Sequence, residues 1–140
     1  MADAATVDMN LEVVLIPVAD VARAKEFYAD RVGFHLDVDH RAGDFRVVQL
    51  TPPGSACSIA LMKNDAAGSL QGLQMVVRDL DAARSQLCAA GVACSELYHF
   101  EVGAQVDGPS PAREDYETFL SFADPDGNGW LIQEVPSRPG

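Results

Sequence analysis

An internal repeat limits the possible folds of this chain more than any other feature. The segment LIPVADVARAKEFYADRVGF predicts a strand, a helix that Asp20 caps and a helix stop at Gly33. The later segment LQMVVRDLDAARSQLCAAGV repeats this order, with Asp79 as the cap and Gly91 as the stop. The strands are rich in β-branched residues, and the first helix places its apolar residues at helical spacing. Two copies of one unit are therefore expected in the fold.

Each copy continues with a turn and a further strand, in residues 51–62 and 123–134. The two units therefore predict βαβββ modules, at about 11–63 and about 72–135. The second module is longer, and its extra residues fall in a polar loop at about 102–115. A single module would be small and would leave open sheet edges, so the modules are expected to pack side by side. The expected fold class is α+β, with two pseudo-symmetric modules curved around a central cleft in one domain.

Composition excludes several classes of function. The net charge of −11 argues against a nucleic-acid partner, because phosphates need a basic surface. The same charge is compatible with a cationic ligand or with simple solubility. The apolar runs are too short to span a membrane, and the first residues lack a secretory signal, so a cytoplasmic location is expected. Three cysteines without a CxxC motif argue against a disulfide framework.

The repeat resembles the vicinal oxygen chelate superfamily, which includes glyoxalase I, bleomycin-resistance proteins, extradiol dioxygenases and methylmalonyl-CoA epimerase. VADVARAKEFYADRVGF in the first module carries the resemblance, as do VRDLDAARSQLCAAGV and FADPDGNGWLIQEV in the second. It extends over about residues 11–135. The resemblance implies an incomplete barrel of paired βαβββ modules around one cleft. In its metal-dependent members, a divalent ion in that cleft acts as a Lewis acid.

Four positions of this chain correspond to the metal ligands of such members, and they carry unsuitable residues. Seven residues before each capping Asp lie Val13 and Gly72, and the two strand positions are Ser58 and Leu131. A divalent ion needs imidazole or carboxylate ligands, and a hydroxyl alone binds weakly. The resemblance therefore implies that no metal cofactor is bound. A divalent ion remains the fallback, with Glu134, Gln133, Gln74 and His99 as its ligands.

Alternation of side chains along the strands then assigns the cleft lining. If Leu131 faces the cleft, Gln133 faces it too, whereas Glu134 points away. The same rule gives an apolar lining with a few neutral hydrogen-bonding groups, which is typical of an organic-ligand pocket. The predicted lining is Val13, Leu15, Ser58, Ala60, Met62, Gln74, Val76, Leu131 and Gln133. A register slip of one residue would instead place Glu134 inside.

The second module holds further candidates outside this lining. His99 and Glu101 are two residues apart on a predicted strand, so they share a face and could serve as a base and its partner, or bind a metal. Arg113 and Tyr116 lie in the long loop. Arg113 could orient a carboxylate, and Tyr116 could stack on a planar ligand or donate a hydrogen bond. Each of these residues is equally compatible with an ordinary strand or loop position.

Three functions follow from the residues and the resemblance. The leading hypothesis is a metal-independent protein that binds a small organic molecule in the cleft, as in sequestration by bleomycin-resistance proteins. The second is a glyoxalase-type metal-dependent lyase, isomerase or dioxygenase. The third is a metal-free enzyme that uses His99, Glu101 or Tyr116 as its acid or base. The resemblance also implies a homodimer, because a partner chain often completes each cleft in the bleomycin-resistance branch.

Overall fold

The computed structural model describes residues 6–139 and contains two open β-sheets with helices on one side. The first module consists of β1 (Val13–Val18), α1 (Val21–Glu26) with a π-helical continuation (Phe27–Val32), β2 (His35–Ala42), β3 (Phe45–Thr51) and β4 (Ser58–Lys63). The second consists of β5 (Leu73–Val77), α2 (Leu80–Ala89), β6 (Tyr98–Glu101), β7 (Ala104–Asp107), β8 (Phe119–Ala123) and β9 (Gly129–Glu134). The prediction of an α+β fold built from two repeated units is confirmed.

The two sheets have corresponding topologies. Their strand orders are β1-β4-β3-β2 and β5-β9-β8-β6-β7, and in each sheet the first strand pairs in parallel with the last strand of its module. Neither sheet closes on itself, so the architecture is an incomplete barrel rather than a closed one. Within the described residues, no helix has the length and apolar character needed to cross a bilayer.

Aspartate caps begin both helices, as the repeat predicts. The Asp20 carboxylate accepts a hydrogen bond from the Arg23 backbone N–H at 3.1 Å, and the Asp79 carboxylate accepts one from Ala82 at 3.0 Å. The first helix ends at Gly33, whose φ of 90° is the left-handed conformation that glycine adopts most easily. The predicted helix stop at Gly33 is therefore observed, although the last six helical residues form π-helical turns.

Polar and aromatic contacts of the DPDGN turn join the two modules. The Tyr28 hydroxyl donates to Asp124 at 2.8 Å and accepts from the Trp130 indole at 2.9 Å. Asn128 donates to the Pro17 carbonyl of the first module at 2.9 Å. Burial raises the pKa of Tyr28, with the Asp124 carboxylate as the second cause. Buried residues of both modules belong to one hydrophobic cluster, so the helices and both sheets share a core.

The region predicted as a long polar loop, 102–115, contains a β-hairpin instead. Strand β7 pairs antiparallel with β6, and Glu101 lies opposite Ala104. The two intervening residues, Val102 and Gly103, have φ values of 50° and 78°, as a two-residue hairpin turn requires. Valine rarely adopts positive φ, so the sequence alone did not indicate this turn. The hairpin adds a fifth strand to the second sheet.

Candidate functional site

Each sheet has one face that packs against the helices and one face that does not. On β9, Trp130 and Ile132 are buried in the core, whereas Leu131 and Gln133 are only partly buried. On β1, Ile16 is fully buried, but Leu15 keeps 48 % of its surface exposed. The faces away from the helices, on every strand except the edge strands β2 and β7, are called the open face below. Several of its apolar side chains, including Val13, Leu15 and Phe100, are left in contact with water.

Strand pairing assigns the members of the open face, because residues directly opposite each other point to the same side. From the first sheet they are Val13, Leu15, Pro17, Phe45, Val47, Gln49, Thr51, Ser58, Ala60 and Met62. From the second sheet they are Gln74, Val76, Tyr98, Phe100, Phe119, Ser121, Leu131 and Gln133. All nine residues predicted to line the cleft lie on this face. Whether they contact a ligand stays a prediction.

An aromatic cluster on β6 and β8 was missed by the sequence reasoning. The ring of Tyr98 stacks on Phe119 with centroids 5.8 Å apart, and Phe100 meets Phe119 edge-on at 5.5 Å. The Tyr98 hydroxyl lies 2.6 Å from the Ser121 hydroxyl. The alternation of Tyr98 and Phe100 within ELYHFEV was the available signal, but their pairing with Phe119 depends on the register between two distant strands. The cluster gives the open face a planar, polarisable surface.

Two hydroxyl groups lie on the part of the open face that belongs to the first sheet. The hydroxyl of Ser58 lies 2.6 Å from that of Thr51, and Thr51 donates to the Asp37 carboxylate. Ser58 is buried between β1 and β3 although it lies on the open face. Its hydroxyl is thus already engaged with the protein, which leaves it a weak candidate for holding an ion.

Glu134 lies on the opposite side of β9 and is held there by three hydrogen bonds. Its side chain is only 4 % exposed. Its carboxylate accepts from Arg113 Nε at 2.7 Å, from Arg113 Nη2 at 3.1 Å and from the backbone N–H of Leu80 at 2.8 Å. The Leu80 contact ties β9 to the first turn of α2. Glu134 therefore acts as a structural group, on the side that strand alternation had indicated.

Arg113 is correspondingly removed from the open face. Besides Glu134, it binds the Asp81 carboxylate at 2.7 Å, and the hydrogen bond to Glu134 is the main reason that its pKa is raised. Two carboxylates thus occupy its guanidinium. Its neighbour Tyr116 is exposed, adopts a φ of 64° and donates its backbone N–H to the Glu134 carbonyl. The structure does not bring either loop residue to the predicted lining.

His99 and Glu101 share a strand face as expected, and their side chains are hydrogen-bonded to each other. His99 Nε2 lies 2.6 Å from Glu101, and Nδ1 lies 2.7 Å from the Gly108 carbonyl. The Gly108 carbonyl and then Glu101 raise the pKa of His99, because both accept hydrogen bonds that stabilise the charged ring. The pair points away from the face that carries Tyr98 and Phe100. It clamps the β6–β7 hairpin to the chain that follows it.

The four fallback metal ligands do not lie together in the structure. Gln74 and Gln133 lie on the open face, whereas Glu134 and His99 lie on other faces of their strands. Within residues 6–139, no three His, Cys, Asp or Glu side chains are grouped closely enough to hold a metal ion. The four positions that the resemblance assigns to ligands carry Val13, Ser58, Gly72 and Leu131. The residues present therefore do not fit a divalent ion of the kind that the metal-dependent members hold.

Two surface depressions lie elsewhere. One of about 400 Å³ lies on the helix side, beside Arg23, Phe27 and Pro125. Another of about 520 Å³ lies next to Arg113 and Pro136. Apart from Arg113, neither contains a residue that the sequence assigned to ligand binding.

The three cysteines are free thiols.

Comparison with known proteins identifies the fold and its relatives. The sequence model of the Glyoxalase/Bleomycin resistance protein/Dioxygenase superfamily matches residues 10–132. TnmS3, an antibiotic binding protein from Streptomyces sp. CB03234, shares 29 % identity over 94 % of this chain and 99 % of its own, with a TM-score of 0.73. A glyoxalase/bleomycin resistance protein from the same strain shares 30 % identity over 89 % of this chain and all of its own, with a TM-score of 0.69.

A more distant relative has the same architecture. A member of the superfamily from Sphaerobacter thermophilus DSM 20745 shares 25 % identity over 91 % of this chain and 98 % of its own, with a TM-score of 0.70. No functionally curated protein matches the sequence significantly.

Proposed function

Because the chain belongs to the Glyoxalase/Bleomycin resistance protein/Dioxygenase superfamily, we propose that it binds a small planar organic molecule on its open face and sequesters it without a metal ion. The observation that carries the proposal is the apolar surface that the open face leaves exposed, together with the aromatic cluster. Val13 and Leu15 are 40 % and 48 % exposed, and Phe100 is also exposed. Covering such surface is favourable at about 25 cal/mol per Å², so a ligand of matching shape would be retained.

One relative supports binding rather than turnover. TnmS3, which resembles this chain over nearly the full length of both proteins, is described as an antibiotic binding protein. Two of the groups that the enzymatic hypotheses would recruit are engaged in other contacts. His99 is held between Glu101 and Gly108, and Glu134 is held by Arg113 and the α2 backbone.

A second copy of the chain is proposed to complete the site. In the first sheet, β2 is an edge strand whose residues are all exposed, including Val38 and, at the adjoining end of β3, Phe45. Exposed apolar side chains along a free sheet edge favour association with another chain. We therefore expect a homodimer, which sedimentation analysis at micromolar concentration would detect. A monomer in that range would contradict this part of the proposal.

Titration of planar aromatic compounds into chelator-treated protein tests the binding function. Isothermal titration should give saturable binding that does not change on addition of Zn²⁺, Ni²⁺ or Mn²⁺. Phe119→Ala removes the centre of the aromatic cluster and should weaken binding by at least about tenfold. Val102→Ala, at the exposed hairpin tip, is the control and should bind as the wild type does.

Two results would contradict the proposed function. One is stoichiometric Ni, Zn, Fe or Mn in protein purified without chelator, together with loss of binding on its removal, which would favour the metal-dependent lyase, isomerase or dioxygenase. The other is turnover that survives the chelator and falls with His99→Ala or Tyr116→Phe. That outcome would favour metal-free catalysis.

A further inference from the structure

Two glutamine side chains meet across neighbouring strands of the open face. Nε2 of Gln133 on β9 donates a hydrogen bond to Oε1 of Gln74 on β5, at 2.7 Å. The strands are parallel, with Gln74 opposite Leu131 and Val76 opposite Gln133. The two amides therefore lie side by side with apolar neighbours, and they are called the amide pair below.

The amide pair has hydrogen-bonding capacity to spare. A carboxamide has one oxygen acceptor and two N–H donors, and the mutual bond uses one donor and one acceptor site. The carbonyl oxygen of Gln133 and the amino group of Gln74 form no hydrogen bond with the described part of the chain. If both amides were turned over, the roles would exchange, but one carbonyl and one amino group would still be free. The pair thus keeps one acceptor and one donor available to a ligand.

The surroundings of the amide pair are apolar on one side and aromatic on the other. Gln133 lies between Val76 on β5 and Phe119 on β8, and Phe119 is the centre of the aromatic cluster. A flat molecule stacked on that cluster would direct an edge towards the amide pair. The aromatic cluster and the amide pair are thus adjacent on the second sheet.

The lack of charged side chains on the open face limits the kind of ligand group that the amide pair can bind. Every side chain assigned to the open face is uncharged, and the nearest acidic neighbour along β9, Glu134, points to the other side and is paired with Arg113. A carboxylate or ammonium group placed here would lose water without gaining an ionic partner. A neutral group with a donor next to an acceptor loses little, because both of its polar atoms are satisfied.

We infer that the amide pair binds the edge of a neutral cyclic amide, a lactam or imide, fused to an aromatic ring system. The ligand N–H donates to the free glutamine carbonyl, and the ligand C=O accepts from the free amino group. This inference rests on the proposed function, because the aromatic cluster must hold the ring system. The proposed function gives the place of binding, and this inference gives the chemical class of the ligand.

Two tricyclic compounds of the same outline test the inference. Phenanthridinone is a lactam, and benzocoumarin replaces its N–H by a ring oxygen. Both can stack on the aromatic cluster, but only the lactam can donate to the glutamine carbonyl. Titration calorimetry should show the lactam binding about tenfold more tightly, as the net effect of one neutral hydrogen bond implies.

Substitutions of the two glutamines test whether the amide pair causes the preference for the lactam. Gln133→Leu and Gln74→Leu change exposed or half-buried positions, and the double variant removes both amides, so it should reduce the lactam preference to less than about threefold. Benzocoumarin should also bind the double variant more weakly than the wild type, because its C=O loses the hydrogen bond from the free amino group. Gln86→Leu is the matched control, since this exposed glutamine lies on α2, away from the open face. It should keep the full preference.

The results of these titrations distinguish a failure of the lactam inference from a failure of the proposed function. If both compounds bind the wild type equally, open-face binding stands and the lactam inference is overturned. If the lactam preference survives in the Gln74→Leu/Gln133→Leu double variant, the amide pair is not its source and the inference is also overturned. If neither compound nor the hydrocarbon phenanthrene binds, the proposed function fails and the inference fails with it.

Discussion

Removal of the Arg113 side chain should destabilise the protein strongly, because it would leave a buried carboxylate without its cation. In the structure the Glu134 side chain is 4 % exposed. After Arg113→Ala, its carboxylate would keep only the Leu80 N–H as a hydrogen-bond partner. Breaking a fully buried pair costs about 3–5 kcal/mol. The Arg113 side chain is 33 % exposed, so water can reach the carboxylate from that side. We therefore expect a loss of about 2–3 kcal/mol, with the melting temperature lowered by roughly 6–12 °C.

Urea unfolding followed by circular dichroism measures this loss directly. Asp81→Asn is the matched control, because it removes the other carboxylate that Arg113 binds, and that side chain is 66 % exposed. Such a surface pair should contribute no more than about 1 kcal/mol. A loss below about 0.5 kcal/mol for Arg113→Ala would refute the reasoning. Glu134 would then not depend on the arginine, and it would again be a candidate for other roles.

The remaining predictions concern a cap, a buried hydroxyl and a histidine. Asp79→Ala should cost about 1 kcal/mol of unfolding free energy through loss of the α2 cap, and an unchanged thermal midpoint would contradict this. Tyr28→Phe removes the hydroxyl that joins Asp124 to Trp130 and should cost about 1–3 kcal/mol in urea, whereas a neutral effect would show that the contact does not couple the modules. The pKa of His99 is raised in the fold, so its contribution to stability is complete below the unfolded value of about 6.5 and is lost as the pH rises through the folded pKa. The stability difference between wild type and His99→Gln should therefore shrink with rising pH, and a constant difference would exclude the charged clamp.

The repeat made most of the architecture predictable. Each cap, helix and following strand could be placed because the two copies support each other. Strand alternation from the DPDGN turn was enough to separate Gln133 from Glu134, since side chains alternate with period two once the strand is located. In the structure these two residues do lie on opposite sides of β9.

The partners of these residues could not be predicted in the same way. The contact between Glu134 and Arg113 depends on the path of an irregular loop, and Arg113 itself has a φ of 49°. The aromatic cluster depends on the register of Tyr98 against Phe119, which no local pattern specifies. The β6–β7 hairpin turns at Val102, a residue type that disfavours positive φ. Tertiary contacts decided all three features.

Mapping the binding site of phenanthridinone by NMR, on chelator-treated protein, tests the central claim most directly. We expect saturable shift changes that concentrate on the methyl groups of Val76 and Leu131, on the ring of Phe119 and on the side-chain amides of Gln74 and Gln133. Shift changes confined to the helix-side depression around Arg23 and Pro125, or their disappearance when metal is removed, would contradict that claim.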